Sequence, residues 1–181
     1  MEVIDIKKEA MEVLLNRRAI RKFKNDPIPA EILDAVLEAG TFAPTGSGKQ
    51  SPVILVLQDE EKVNKAKALN AKVMGIDRDP YYGAPVILLV LATERAVNEE
   101  IAILDAAAVT TNLLNAAYAA GLGSCWIHRC KEMFAMEEGK ALLKEWGIEE
   151  NLRGVWSIAL GYADCDHPVP IPRKENYIIK L

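Results

Sequence analysis

Apolar positions along this chain repeat with two periods, and segments of one period alternate with segments of the other. Between Asp5 and Asn16 the residues Ile6, Ala10, Val13 and Leu14 fall on one helical face. A second stripe, Ile32, Leu33, Val36 and Leu37, begins after Pro29 and stops at Gly40, the order in which proline opens and glycine closes a helix. Val53 to Leu57 breaks that period. It is a short continuous apolar run rich in β-branched residues, which predicts a strand buried on both faces. A polar helix is predicted over Glu60–Val73 and a second buried strand over Pro85–Leu91. The longest helix is predicted over Asn98–Ala120, ended by Gly121, a residue suited to a left-handed cap. Ser124–His128 and Val155–Leu160 read as strands, with a helix over Glu137–Trp146 between them.

Strands alternating with helices predict a mixed α and β class in which helices cover a sheet, while the pattern leaves strand direction open. Asn25–Pro29, Ala43–Pro52 and Asp77–Gly83 read as loops from their Pro, Gly and Asp content. Beyond Asp164, Pro168, Pro170 and Pro172 hold the tail extended. Tyr177-Ile178-Ile179 is too apolar to be left in water, so the tail is expected to dock, a second copy of the chain being one candidate surface. No repeat, low-complexity tract or linker divides the 181 residues, so residues 1–181 are expected to form one domain.

Composition narrows the function. Half the residues are apolar and 27% charged, an ordinary balance for a water-soluble chain. The run Ala84–Ala92 is about half the length of a membrane span, and the first residues alternate charge where a signal peptide would be apolar. A cytoplasmic protein without membrane partners is therefore expected. Twenty-two Lys and Arg against 26 Asp and Glu give a net charge of −4, which disfavours nucleic acid. The basic residues crowd into Arg17-Arg18-Ala19-Ile20-Arg21-Lys22, and such a turn on an acidic protein suggests a small anionic ligand. The alternative is a solvated patch favoured by the C-terminal end of a helix. Three cysteines, Cys125, Cys130 and Cys165, suit a reducing compartment better than a disulfide framework.

Two motifs invite readings that their surroundings oppose. Ala43 to Gln50 nearly spells a phosphate-binding P-loop, but Ala43 stands for the first glycine and Gln50 for the metal-binding hydroxyl. The order of elements is also inverted, with the helix before and the strand after. Cys125, His128 and Cys130 suggest a metal, yet on a strand Cys125 and His128 point to opposite faces and no fourth ligand stands nearby. Asp105 and Asn112, two helical turns apart, read as polar groups satisfied at an interface.

Taken in order, several segments resemble the nitroreductase family. They are Arg17–Phe23, the helix from Pro29 to Gly40, Ala43–Gln50, Tyr82-Gly83-Ala84-Pro85, Ala119–Ile127, Ala159–Tyr162 and Pro172-Arg173-Lys174. The resemblance implies an α+β, three-layer fold with a central mixed β-sheet flanked by helices and an extended C-terminal tail docking on the partner subunit. It implies a homodimer that binds FMN at the subunit interface and passes electrons from NADH or NADPH to nitroaromatic, quinone or related acceptors. By the same resemblance Arg17, Arg18, Ala19 and Arg21 would hold the FMN phosphate and ribityl chain, joined by Arg173 and Lys174. Pro44, Thr45, Gly46 and Gly48 match a loop that the partner lays against the ring. Trp126, Ile127, His128 and Arg129 match the segment whose main-chain amide donates to the flavin N5 atom. Ala19 stands where the family usually has Ser, and Gly48 where it often has Asn. Those departures motivate an alternative, a catalytically weak flavin-binding or flavin-sensing homodimer. No catalytic side chain and no metal are expected, because the flavin carries the chemistry.

Overall fold

The computed structural model describes residues 9–148 and 151–181. Six helices and four strands alternate: α1 Ala10–Asn16, α2 Ala30–Thr41, β1 Pro52–Leu57, α3 Glu60–Met74 and β2 Val86–Ala92, then α4 Glu99–Ala119, β3 Gly123–Ile127, α5 Cys130–Ala135, α6 Glu137–Glu145 and β4 Arg153–Gly161. The start of the first predicted helix, including Ile6, lies outside the described residues.

The strands form one sheet in the order β1-β2-β4-β3, and every neighbouring pair is antiparallel. The expected mixed sheet is corrected in that detail: among the described residues its parallel component is an isolated bridge between Ala19 and Ser124. Strand β2 is buried along its length, and the alternation of a strand sends its side chains into two cores. Ile87, Leu89 and Leu91 meet α3, α5 and α6 through Leu69, Met133 and Leu143. Val86, Leu88 and Val90 meet α2 and α4 through Val36, Val109 and Leu113. The result is the expected three layers, helix, sheet, helix. Strand β1 differs from its prediction: at the sheet edge it is only half-buried apart from Leu57.

Local chemistry fixes the ends that matter for the site. The Asn98 side chain accepts from the Ile101 amide at 2.9 Å and starts α4. Gly121 ends it with φ +80°, a conformation that favours glycine. By length and composition α4 could cross a membrane, but here it is the central helix of its layer, packed on α2 and the sheet. Strands β2 and β4 shift register between Val90 and Leu91, so that Val155 bulges from β4 beside Trp156.

Candidate functional site

The basic segment leaves α1 and runs along the open edge of β3. Ala19 bridges Ser124, and the Ile20 amide donates to the Ser124 carbonyl at 2.9 Å. Ile20 and Phe23 are buried in the core, which anchors the segment and leaves its arginines partly or fully exposed beside β3. Arg18 folds back and donates to the carbonyls of Leu15 and Arg17, at 2.9 and 2.8 Å. Arg17 is half-buried, and its guanidinium is held below its ordinary pKa by burial first and then by the Arg18 charge. Burial pushes the Cys125 thiol up, while Arg21 and Arg17 pull it back down. Both arginines therefore sit close enough to Cys125 of β3 to act on it. Neither makes a salt bridge or side-chain hydrogen bond among the described residues.

The root of the C-terminal tail joins the same place. Lys24 donates its amide to the Tyr162 carbonyl and Asp164 donates to that of Lys22, at 2.9 and 3.0 Å. His167 then lies 2.8 Å from the Asn16 carbonyl, against the Tyr118 ring. Arg18, Tyr118, Gly123, Ser124 and His167 line a pocket of about 120 Å³. Arg173 and Lys174 stand farther along. Arg173 donates to Ile171 of its own tail and Lys174 lies 5.2 Å from the Tyr177 ring centroid, so the structure links neither to Arg17 among the described residues. The tail is exposed, Ile178 and Ile179 to 77% and 78%.

The glycine loop is a built object. Gly46–Gly48 forms a 3-10 turn, not the helix of a P-loop, and strand β1 follows it. Ser47, Gly48 and Gln50 take φ of 52°, 65° and 48°. Buried Asp105 of α4 holds the loop from below, accepting from the Gly46 amide at 2.8 Å and the Ser51 hydroxyl at 2.9 Å. Thr45 accepts from the Gln50 amide at 3.0 Å, and Pro44 and Gly48 are exposed. Asn112 donates to the Ala39 carbonyl at 3.2 Å, so Asp105 and Asn112 are both satisfied where α4 meets other elements, as expected.

At the far end of β3, Trp126 packs edge-on against Trp156 and the His128 ring does the same, at centroid distances of 5.1 and 5.2 Å. Cys125 and Ile127 enter the opposite core. Arg129 takes φ +79° and starts α5, a helix absent from the periodicity reading. His128, Arg129, Phe134, Arg153 and Trp156 line a mostly apolar pocket of about 320 Å³. Sequence reasoning missed the residues beneath this segment. Asn70, Tyr81 and Ser157 are fully buried and joined by hydrogen bonds. The available signal was one Asn on the buried stripe of a polar helix.

Fold and site together define a three-layer α+β protein whose sheet edge carries a basic segment in which Arg17 and Arg21 have no acidic partner among the described residues. A family model described as the nitroreductase family matches residues 14–80 and 61–162. An Archaeoglobus fulgidus protein with the provisional name NADH dehydrogenase/NAD(P)H nitroreductase is 28% identical over 155 residues, 85% of each chain. The FMN reductase (NAD(P)H) of Bacillus subtilis is 32% identical over 84 residues, covering 46% of this chain and 32% of that one. A solved Bacteroides fragilis nitroreductase with bound FMN superimposes with a TM-score of 0.82 at 25% identity, covering 97% of this chain and 99% of that one. The fold is shared by a Desulfitobacterium hafniense nitroreductase with bound FMN, with a TM-score of 0.83 at 23% identity over 96% of this chain and 98% of that one. The chain belongs to the nitroreductase family, and so to the oxidoreductases.

Proposed function

We propose that residues 1–181 form a single unit that binds FMN in the groove along β3 and passes electrons from NADH or NADPH to a small acceptor. The observation that carries this reading is the pair Arg17 and Arg21, both near enough to Cys125 to act on its thiol and without an acidic partner among the described residues. Two unpaired guanidinium groups at one place favour a phosphate dianion. Arg18 Nε and Ser124 Oγ, which line the small pocket beside this segment, are buried without a hydrogen-bond partner among the described residues. FMN has acceptors for both.

In this reading Arg17, Arg18 and Arg21 hold the phosphate end, with the Ala19 backbone beside the ribityl chain. Trp126, Ile127, His128 and Arg129 would lie along the ring, and a main-chain amide there would donate to N5. When bound, the flavin accepts hydride and returns electrons to a second substrate. A homodimer completes the site, its partner supplying the loop at Pro44, Thr45, Gly46 and Gly48. The exposed tail, with Arg173 and Lys174, covers the neighbouring subunit. Exposed Met11, Leu14, Leu15 and Phe42 offer further apolar surface for that contact. Because donor and acceptor use one open ring face in turn, kinetics are ping-pong, with nitroaromatics and quinones as acceptors, in the cytoplasm.

The test is direct. Purified protein is yellow, releases FMN on denaturation and bleaches when mixed anaerobically with NADH or NADPH. A colourless preparation that gains no colour with added FMN rejects the reading. Binding without bleaching leaves the flavin-binding alternative. Parallel initial-rate lines are expected, and intersecting lines contradict ping-pong transfer.

A further inference from the structure

The buried polar residues beneath β3 form a chain with a fixed proton order. Ser157 donates to the Ile127 carbonyl at 3.2 Å. A serine has one hydroxyl proton. It is used there, so at the 3.1 Å contact between Ser157 and Tyr81 the tyrosine is the donor, in preference to the weaker sulfur acceptor of Met133 at 3.7 Å. The Tyr81 oxygen in turn accepts from the Asn70 side-chain amide at 3.0 Å. That amide's second contact is the His128 carbonyl at 3.3 Å. One chain from three elements thus ends, at both extremities, on consecutive main-chain carbonyls. Asn70, Tyr81 and Ser157 are all fully buried, so water does not compete for these bonds.

What this does to the peptide units follows from planarity. In a trans peptide the carbonyl and the following N–H point in opposite directions. Ile127 pairs with Ser157 in the β3–β4 ladder, and the Ser157 hydroxyl adds a second anchor on the Ile127 carbonyl, so that carbonyl faces β4 and the His128 N–H faces the open edge of β3. Drawing the His128 carbonyl toward Asn70 turns the Arg129 N–H away from the core in the same manner. The Ser124 carbonyl, three residues earlier, already faces that open edge and accepts from Ile20. Arg129 itself adopts φ +79°, which a non-glycine residue holds only when its surroundings fix it.

We propose that Asn70, Tyr81 and Ser157 are positioning residues that aim the His128 and Arg129 amides at the N5 edge of the bound flavin. The proposal rests on the flavin reading above. An N–H donor at N5 stabilises the oxidised ring, where N5 is an acceptor, more than the reduced ring, where N5 carries hydrogen. Loosening the carbonyl anchors weakens that preference and raises the flavin potential.

The experiment compares wild type, Ser157→Ala, Tyr81→Phe and, as a control for stability alone, Leu143→Ala in the α6 core. The readouts are the potential of bound FMN and the carbonyl carbon NMR shifts of Ile127 and His128 without FMN. Ser157→Ala is expected to lower the preference for oxidised over reduced FMN about tenfold, a rise of about 30 mV for a two-electron couple. Tyr81→Phe shifts it the same way by less, and Leu143→Ala leaves it in place. Should Ser157→Ala fail to fold, Tyr81→Phe carries the test. Variants that bind FMN at the wild-type potential overturn the proposal. So do Ile127 and His128 carbonyl resonances that do not move. Wild type that binds no FMN overturns the flavin reading instead, a separate and distinguishable failure.

Discussion

The two ends of the β3 groove solve opposite problems. At Arg17–Arg21 the polar groups are open: among the described residues two guanidinium groups lack acids, and Arg18 Nε and Ser124 Oγ are buried without partners. At Ile127–Arg129 and in the glycine loop the main chain is tied down, by the Asn70–Tyr81–Ser157 chain and by Asp105. Unmatched groups that the fold keeps in place are where a ligand is expected, because leaving them bare costs stability. Matched groups hold the frame, although Asn70 Oδ1 within that chain is itself buried without a partner among the described residues. Changes at the tied-down end should therefore cost folding stability, while changes at the open end should cost ligand affinity and leave stability almost untouched.

The largest effect is expected at Gly154. A Cβ there would lie 2.2 Å from the Cys130 carbonyl, a backbone atom that begins α5 and cannot step aside. Gly154→Ala should lower stability by about 3 kcal/mol in a urea titration. Asp105→Ala comes next, at about 2 kcal/mol, because it strands the Gly46 amide and the buried Ser51 hydroxyl. Alkaline pH gives a smaller change. Burial raises the pKa of Cys130, Cys125 and Tyr81, so the folded chain holds these protons more tightly than the unfolded chain. The thiols' contribution is complete below the thiol range and is lost as pH rises past about 8.5, and that of Tyr81 only past about 10, by up to roughly 1.4 kcal/mol per pH unit for each group. Melting temperatures measured from pH 7 to pH 10 should fall over the upper half of that range. The smallest effect is expected at the open end. Arg17→Ala should change stability by no more than about 0.5 kcal/mol, since it removes no bond and relieves a like-charge contact with Arg18. A large loss there would erase the contrast between the two ends.

The sequence made the same division only in part. Strand β2 and helix α4 were legible because a long apolar run and a long 3.6-residue stripe need no knowledge of neighbours, and Asn98 and Gly121 carry their own capping chemistry. A β-branched run looks alike at the centre and the edge of a sheet, so the apolar pattern of β1 predicts burial on both faces where the edge position leaves it half-buried. Helix α5 was missed since its six residues are shorter than two turns and begin at Arg129, whose left-handed backbone has no side-chain signature. The arginines of the open end were visible as a charge cluster. The tied-down end was not, because Asn70, Tyr81 and Ser157 lie far apart in the chain and become a unit only when α3, the loop before β2, and β4 converge. Local chemistry is readable locally; a hydrogen-bonded chain across three elements is a property of packing.

The central claim is that the open end of the groove receives the phosphate of a flavin nucleotide. Titrating wild type and Arg17→Ala with FMN and with riboflavin, which lacks the phosphate, tests it most directly. The loss of one charge-assisted contact predicts that Arg17→Ala weakens FMN by about 1.5–3 kcal/mol and leaves riboflavin nearly unchanged. Equal weakening of both ligands, or of neither, would contradict it.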